Sequence, residues 1–136
     1  LECLFCHESA DKSYFAGVPS VQKCMGCHIN VKTDSPEVQK IHKYWNEKKP
    51  IPWNRVHRIR QRNYVYFTHE RHIKAEDAKV NNPNFEAGKA GIACEACHGE
   101  VKAMEKMRAF SSLKMGWCVS CHRANDAPTD CLICHK

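Results

Sequence analysis

The stretch CEACHGEVKAMEKMRAFSSLKMGWCVSCH, residues 94–122, carries the pattern C-x-x-C-H at both of its ends. The pattern recurs three more times, so all ten cysteines of this 136-residue chain belong to five such motifs. The motif residues are Cys3, Cys6 and His7; Cys24, Cys27 and His28; Cys94, Cys97 and His98; Cys118, Cys121 and His122; and Cys131, Cys134 and His135. C-x-x-C-H is the attachment motif of c-type haem, in which two thiols bind the porphyrin and the histidine reaches the iron. We therefore predict five haem c groups.

Three other uses of paired cysteines fit this pattern less well. Zinc ribbons use C-x-x-C pairs, but they need pairs of pairs and no obligatory histidine. Five identical blocks make a poor disulfide framework, and a thioredoxin-like motif occurs once in a domain. None of these explains a histidine after every pair.

Five haems on 136 residues leave about 27 residues for each. A chain this short cannot build a large apolar core of its own. The predicted fold is a multihaem c-type cytochrome, mostly coil with short α-helices wrapped around five stacked haems and with little or no β-sheet. Only eight residues separate His122 from Cys131, a connection of at most roughly 30 Å. The last two haems are therefore expected to be neighbours.

The motif spacing suggests an internal repeat. Residues 3–28 and 94–122 each contain a motif, a polar stretch, a patch of aromatic and small residues, and a second motif. We predict a single pentahaem domain, 1–136. It comprises a two-haem unit 1–28, a haem-free ligand-bearing segment 29–93, a two-haem unit 94–122 and the C-terminal fifth haem 123–136.

The haem-free segment contains a helical pattern from Ser35 to Lys49, with Pro36 in its first turn and Pro50 after its end. Val65–Phe67 is expected to be extended. Residues 75–91, with Asn82-Pro83-Asn84 and two glycines, are expected to form a loop or insertion.

Each low-spin electron-transfer haem needs a second axial ligand. Four histidines remain outside the motifs, so five irons cannot all be bis-histidine from this chain alone. His69 and His72 form F-x-H-x-x-H, which resembles the class III type of small multihaem cytochrome, where the two histidines serve different haems. His57 is a third candidate. His42 is a weaker one, placed among lysines opposite the apolar face of its helix.

The missing ligands have three candidate sources. The second two-haem unit is preceded by H-x-x-H, so the repeat predicts the same element before Leu1, or a ligand from a partner subunit. The chain lacks an initiator Met, and we interpret it as a mature or trimmed form. The rival is a methionine ligand, with Met115 the first choice.

Charge and hydropathy indicate which classes of partner the chain is not expected to bind. The formal charge is +6, but the propionates of five ferric haems would remove roughly five charges, so nucleic-acid binding is not predicted. The arginines of the run Arg55, Arg58, Arg60 and Arg62 form either a solvated face or partners of propionates. No apolar run reaches 18 residues, so no transmembrane segment is predicted in this chain.

Several segments together resemble the pentahaem cytochrome c subunit of bacterial alternative complex III. They are YFAGVPSVQKCMGCH (14–28), TDSPEV (33–38), PIPWNRVH (50–57), VYFTHERH (65–72), CEACHGEV (94–101) and MGWCVSCHR (115–123). The resemblance covers most of the chain. The insertion at about 75–90 is longer than in compact members of that family.

This resemblance implies that His57, His69 and His72 fall on distal-ligand positions, whereas His42 has no counterpart. It implies an N-terminal extension with F-S-H-x-x-H, and often a membrane anchor, ahead of Leu1. It further implies that quinol is oxidised in a polytopic membrane subunit. Electrons would then pass through the clusters of an iron–sulfur subunit and these haems to a monohaem cytochrome c or an oxidase.

The expected function is therefore periplasmic, membrane-associated electron transport in a respiratory chain, with no bond chemistry by the chain itself. The alternative is a free-standing periplasmic multihaem shuttle. A multihaem reductase with an open catalytic iron is a third possibility. The ligand shortage and the apolar Trp45, Ile51, Trp53 and Tyr64 favour a subunit that docks on others.

Overall fold

The computed structural model describes residues 1–59, 64–75 and 91–136. Within these ranges the backbone is short α-helix joined by coil, and the strand-like pairing is an isolated antiparallel bridge between Val65 and His135. The helices are α1 (Cys3–Cys6), α2 (Val21–His28), α3 (Pro36–Asn46), α4 (His69–Ile73), α5 (Cys94–His98), α6 (Met115–Ala124) and α7 (Cys131–Cys134), with a 3-10 turn at Val101–Ala103. The predicted class of helix and coil without a sheet is confirmed for these residues. The five stacked haems stay a prediction.

Helix α3 has Pro36 in its first turn, as predicted, but it begins one residue after Ser35 and ends three residues before Lys49. The amide of Lys49 donates to the Tyr44 carbonyl at 3.0 Å, and that of Lys48 to the Trp45 carbonyl at 3.1 Å. These two bonds form a Schellman motif, with Lys48 in the left-handed region at φ 52°. The chain therefore leaves the helix before Pro50 is reached.

The described residues fall into two compact units. Unit 1 comprises residues 1–8 and 17–54, and unit 2 comprises residues 9–16 and 55–136. In unit 1, α2 packs against α3, and the buried apolar side chains Met25 and Val38 lie on these two helices. Unit 1 holds the first two motifs and unit 2 the other three. The predicted domain organisation stays a prediction, and the insertion at 75–90 lies almost wholly outside the described residues.

The apolar core is small. Among the described residues the buried apolar side chains are Ala10, Met25 and Val38, whereas Phe15 is 60% exposed and Leu132 is 81% exposed. Exposed apolar side chains of this kind fit a fold that is completed by bound porphyrins. In the part of the chain that is described, no helix has the length and apolarity needed to cross a bilayer.

Candidate functional site

Every C-x-x-C-H motif lies on a short helix, which places its two cysteines one turn apart and on the same side. The histidines of three motifs turn Nδ1 toward a backbone carbonyl. Nδ1 of His7 lies 2.7 Å from Gly17 O, that of His28 3.0 Å from Val31 O, and that of His122 2.6 Å from Pro128 O. A carbonyl only accepts, so Nδ1 donates its hydrogen, and in the tautomer that this bond selects Nε2 keeps its lone pair. Metal-binding histidines are oriented in this way.

The two histidines of α4 share this arrangement. Nδ1 of His69 donates to Tyr14 O over 3.1 Å, and Nδ1 of His72 donates to Thr68 O over 2.9 Å. Thr68 also caps the helix, since its hydroxyl accepts from the Arg71 amide. Both side chains therefore present Nε2 as a possible iron ligand.

Each α4 histidine faces one motif histidine. The ring centroids of His69 and His98 are 6.4 Å apart with planes at 12°, and those of His72 and His122 are 6.1 Å apart at 49°. Two imidazoles that ligate one metal from opposite sides through bonds of about 2 Å have centroids roughly 6 Å apart. Both separations match this distance, so each pair of rings is a candidate pair of ligands for one haem iron.

His57 occupies a different position. Its ring lies against that of His98, with centroids 4.3 Å apart and planes at 64°, and its Nε2 accepts from the Phe110 amide at 3.4 Å. An iron does not fit between rings this close, so the two side chains are neighbours rather than opposed ligands here. Burial lowers the pKa of His57. Its role as a distal ligand stays a prediction.

His42 borders the polar side of α3, where it lines a cavity with Gln39 and Lys43, and it also reaches the end of α2. Nε2 of His42 lies 2.8 Å from the backbone carbonyl of His28 at the end of α2. Residue 42 is one helical turn beyond the buried Val38, so both lie on the face of α3 that packs toward α2.

The fifth motif is fixed to the segment that precedes α4. The Tyr66 amide donates to Cys134 O at 2.6 Å, and the Lys136 amide donates to Tyr64 O at 3.2 Å. These two bonds form the bridge between Val65 and His135. The bridge to His135 is consistent with the extended conformation expected near Val65.

The thiols of unit 2 lie close together. The pKa of Cys97 is raised to about 11, first by burial and then by the nearby thiols of Cys121 and Cys118. Burial also raises the pKa of Cys118, and the nearby thiol of Cys134 raises it further. Thiols in such surroundings are not ionised at neutral pH, and attachment to a porphyrin would convert them to uncharged thioethers. The proximity of Cys118 and Cys134 agrees with neighbouring fourth and fifth haems.

Met115, the predicted sulfur ligand, is the first residue of α6, and its side chain is 67% exposed. Its role stays a prediction. Arg55 and Arg58 are exposed, whereas Arg60 and Arg62 lie outside the described residues.

Two side chains that the sequence analysis missed hold motif backbones. Ser111, which is buried, donates through Oγ to Cys97 O at 2.9 Å, and Asn125 donates through Nδ2 to Cys121 O at 2.8 Å. Single serine and asparagine residues carry no sequence signal for such bonds. In the described ranges, no group of three or more His, Cys, Asp or Glu side chains is arranged to hold a bare metal ion.

No protein-family model matches the sequence. The chain is similar to the multihaem cytochrome c subunit of the menaquinone reductase of Nitratidesulfovibrio vulgaris. The two are 27% identical over 153 aligned positions, which cover 100% of this chain and 70% of the relative. This similarity supports a multihaem c-type cytochrome with an electron-transfer role.

Proposed function

We propose that the chain is an electron-transfer subunit of a membrane quinone oxidoreductase and carries electrons through five covalently bound haem c groups. The observation that supports this most strongly is the facing of His69 with His98 and of His72 with His122, at the separation expected for two ligands of one iron. The chain itself would form and break no substrate bonds.

The residues divide the work of holding each haem. The cysteines of a motif would anchor the porphyrin through thioethers, and the motif histidine would ligate the iron. Hydrogen bonds from Nδ1 to carbonyls, as at His122 and His72, fix each ring and strengthen Nε2 as a ligand. When bound, the haem iron accepts and releases single electrons between its ferric and ferrous states.

The partners and the direction of electron flow form the second part of the proposal. Following the resemblance to alternative complex III, we place the chain in the periplasm. There it would pass electrons from the clusters of an iron–sulfur subunit to a monohaem cytochrome or an oxidase. The name of the relative supports a quinone-linked complex. Because that name describes a reductase of menaquinone, the reverse direction is the second candidate.

A free-standing periplasmic shuttle is the other alternative. A shuttle would need every distal ligand within its own chain, whereas four histidines are available for five irons. Exposed apolar side chains such as Trp45 and Trp53, at 43% and 51%, suit contact with another subunit.

Two measurements test the proposal. The intact mass of the chain from its native host should exceed that of the polypeptide by five haems, and a smaller increment contradicts the haem count. Solubilised membranes on a blue-native gel should show the chain in a haem-staining band with an iron–sulfur subunit and polytopic membrane subunits. A lone soluble band would instead establish a shuttle. Turnover of the band with quinol or with quinone would assign the direction.

A further inference from the structure

His42 is a histidine outside the haem motifs, and the sequence alone does not show whether it binds iron or has a structural role. It projects from α3 toward the last residue of α2, and Nε2 lies 2.8 Å from the carbonyl oxygen of His28. His28 is the histidine of the second haem motif. The carbonyls at a helix C-terminus have no partner inside the helix and must bond elsewhere.

The partner decides the protonation state of the ring. A carbonyl accepts, so Nε2 of His42 must carry the hydrogen and donate it. A nitrogen that donates a hydrogen bond has no free lone pair for iron. In this arrangement the atom that normally binds iron is already committed to the backbone.

The surroundings of His42 also differ from a haem pocket. It lines an open cavity of about 470 Å³ together with polar side chains, namely Thr33, Gln39, Lys43, Asn46 and Glu47. Sites for flat apolar cofactors are lined mainly by apolar and aromatic side chains. This cavity is therefore poorly suited to a porphyrin.

We infer that His42 is a positioning residue for the second haem rather than an axial ligand of any haem. Its hydrogen bond fixes the backbone of His28, while the bond from His28 Nδ1 to Val31 O, at 3.0 Å, fixes the imidazole. Together these two bonds set the direction in which His28 offers Nε2 to its iron. The inference rests on the proposed function, because it requires haem on Cys24 and Cys27.

The test compares three variants of the full haem-loaded chain. His42→Gln keeps a donor N–H at a similar reach, His42→Ala removes it, and Gln39→Ala is the matched control on the same helix and cavity. Peptide mass spectrometry reports haem on Cys24 and Cys27. Electron paramagnetic resonance counts low-spin and high-spin irons, and a spectroelectrochemical titration gives the midpoint potentials.

We expect all three variants to keep haem on the second motif and the same number of low-spin irons. His42→Ala should shift the potential of one haem, His42→Gln should restore it, and Gln39→Ala should leave it unchanged. If His42→Gln folds and converts one iron to high spin, His42 is a ligand and the inference is overturned. A potential that stays the same in His42→Ala overturns it as well. A wild-type chain without haem on Cys24 and Cys27 would contradict the proposed function, and the inference would fall with it.

Discussion

Units 1 and 2 carry the same haem motif but differ in the histidines that lie near each motif histidine. In unit 2, His69 and His72 each face a motif histidine at about the separation that one iron requires. In unit 1 the histidine outside the motifs is His42, and it donates to a backbone carbonyl. The number of histidines outside the motifs therefore does not by itself give the number of available iron ligands. Unit 2 therefore holds two candidate pairs of haem ligands, whereas the motif histidines of unit 1, His7 and His28, have no such neighbouring ring within residues 1–8 and 17–54.

This difference follows from one short helix. Helix α4 places two histidines three residues apart, so they share a face while reaching different partners. It is held by the segment 9–16, since the amides of His69 and Glu70 donate to Tyr14 O and Ser13 O. Unit 1 contains no equivalent of α4. The repeat leads us to propose that an F-x-H-x-x-H element upstream of Leu1, or a partner subunit, supplies its missing ligands.

The largest effect should come from omitting the haems. A chain expressed without the c-type maturation machinery should lose most of its helical circular dichroism and become sensitive to protease, because its buried apolar side chains are too few to support a fold. The haem-loaded chain is the control. A haem-free chain that retained its helices would show that the polypeptide core suffices. Retention of α2 and α3 alone would show that unit 1 depends less on haem than unit 2 does.

Removing a single ligand of unit 2 should have the next largest effect. His72→Ala should turn one of the five haems high-spin and shift its potential, while five haems stay attached, because the cysteines and proximal histidines are untouched. His69→Ala should do the same to a different haem, and the double variant should affect two. The readout is electron paramagnetic resonance with a redox titration.

Lys74→Ala is the matched control for these variants, since Lys74 lies just after α4 and forms only a partly exposed ion pair with Glu70. An unchanged spectrum for His72→Ala would refute its role as a ligand. A double variant that altered one haem instead of two would show that both histidines serve the same iron.

The sequence was sufficient for some of these features and insufficient for others. The motif spacing predicted short helices around the cysteine pairs, and each pair lies on one. The assignment of His69 and His72 as ligands of two haems stays a prediction. Which ring each of them faces depends on packing between residues far apart in the chain, so His98 and His122 could not be assigned. The contact of His42 with the end of α2 could not be predicted because the packing partner of α3 was unknown. The carbonyl of Tyr14 could not be identified because every residue has one.

Two glycines sharpen the comparison between the units. Gly91, in unit 2, has φ +95°, and a Cβ there would overlap the backbone carbonyl of Ile73. Gly17, in unit 1, has φ +73° with no atom within 4 Å of such a Cβ. Gly17→Ala should cost about 1–2 kcal/mol from the left-handed conformation alone. Gly91→Ala should cost more, because it must also displace α4.

Denaturant unfolding followed by haem absorbance would rank these two variants. Gly91→Ala should also lower the low-spin fraction, since the amide of Ile92, next to Gly91, donates to the carbonyl of His72 at 3.0 Å. Gly116→Ala is the control, since Gly116 lies in α6 and a Cβ there would have no atom within 4 Å. It should reduce the free energy of unfolding least. Equal costs for Gly91→Ala and Gly17→Ala would show that the backbone of α4 yields easily.

The smallest effect concerns acidity. Burial, together with the nearby rings of His122 and His69, lowers the pKa of His72 from its ordinary value of 6.5, although its bond to Thr68 opposes the shift. As pH falls below 6.5, the unfolded chain binds a proton on this residue that the folded chain excludes, so stability decreases toward acid. Ligation to iron would act in the same direction, because a bound Nε2 cannot be protonated.

His72→Gln removes this titrating group, so the free energy of unfolding of the variant should fall less steeply between pH 6.5 and 5. The difference in slope should be at most about 1.4 kcal/mol per pH unit. Denaturant titrations at each pH, compared with Lys74→Gln, would measure it. Parallel curves for His72→Gln and the wild type would mean that the folded chain accepts a proton at His72, which a ligand buried between α4 and an iron could not do.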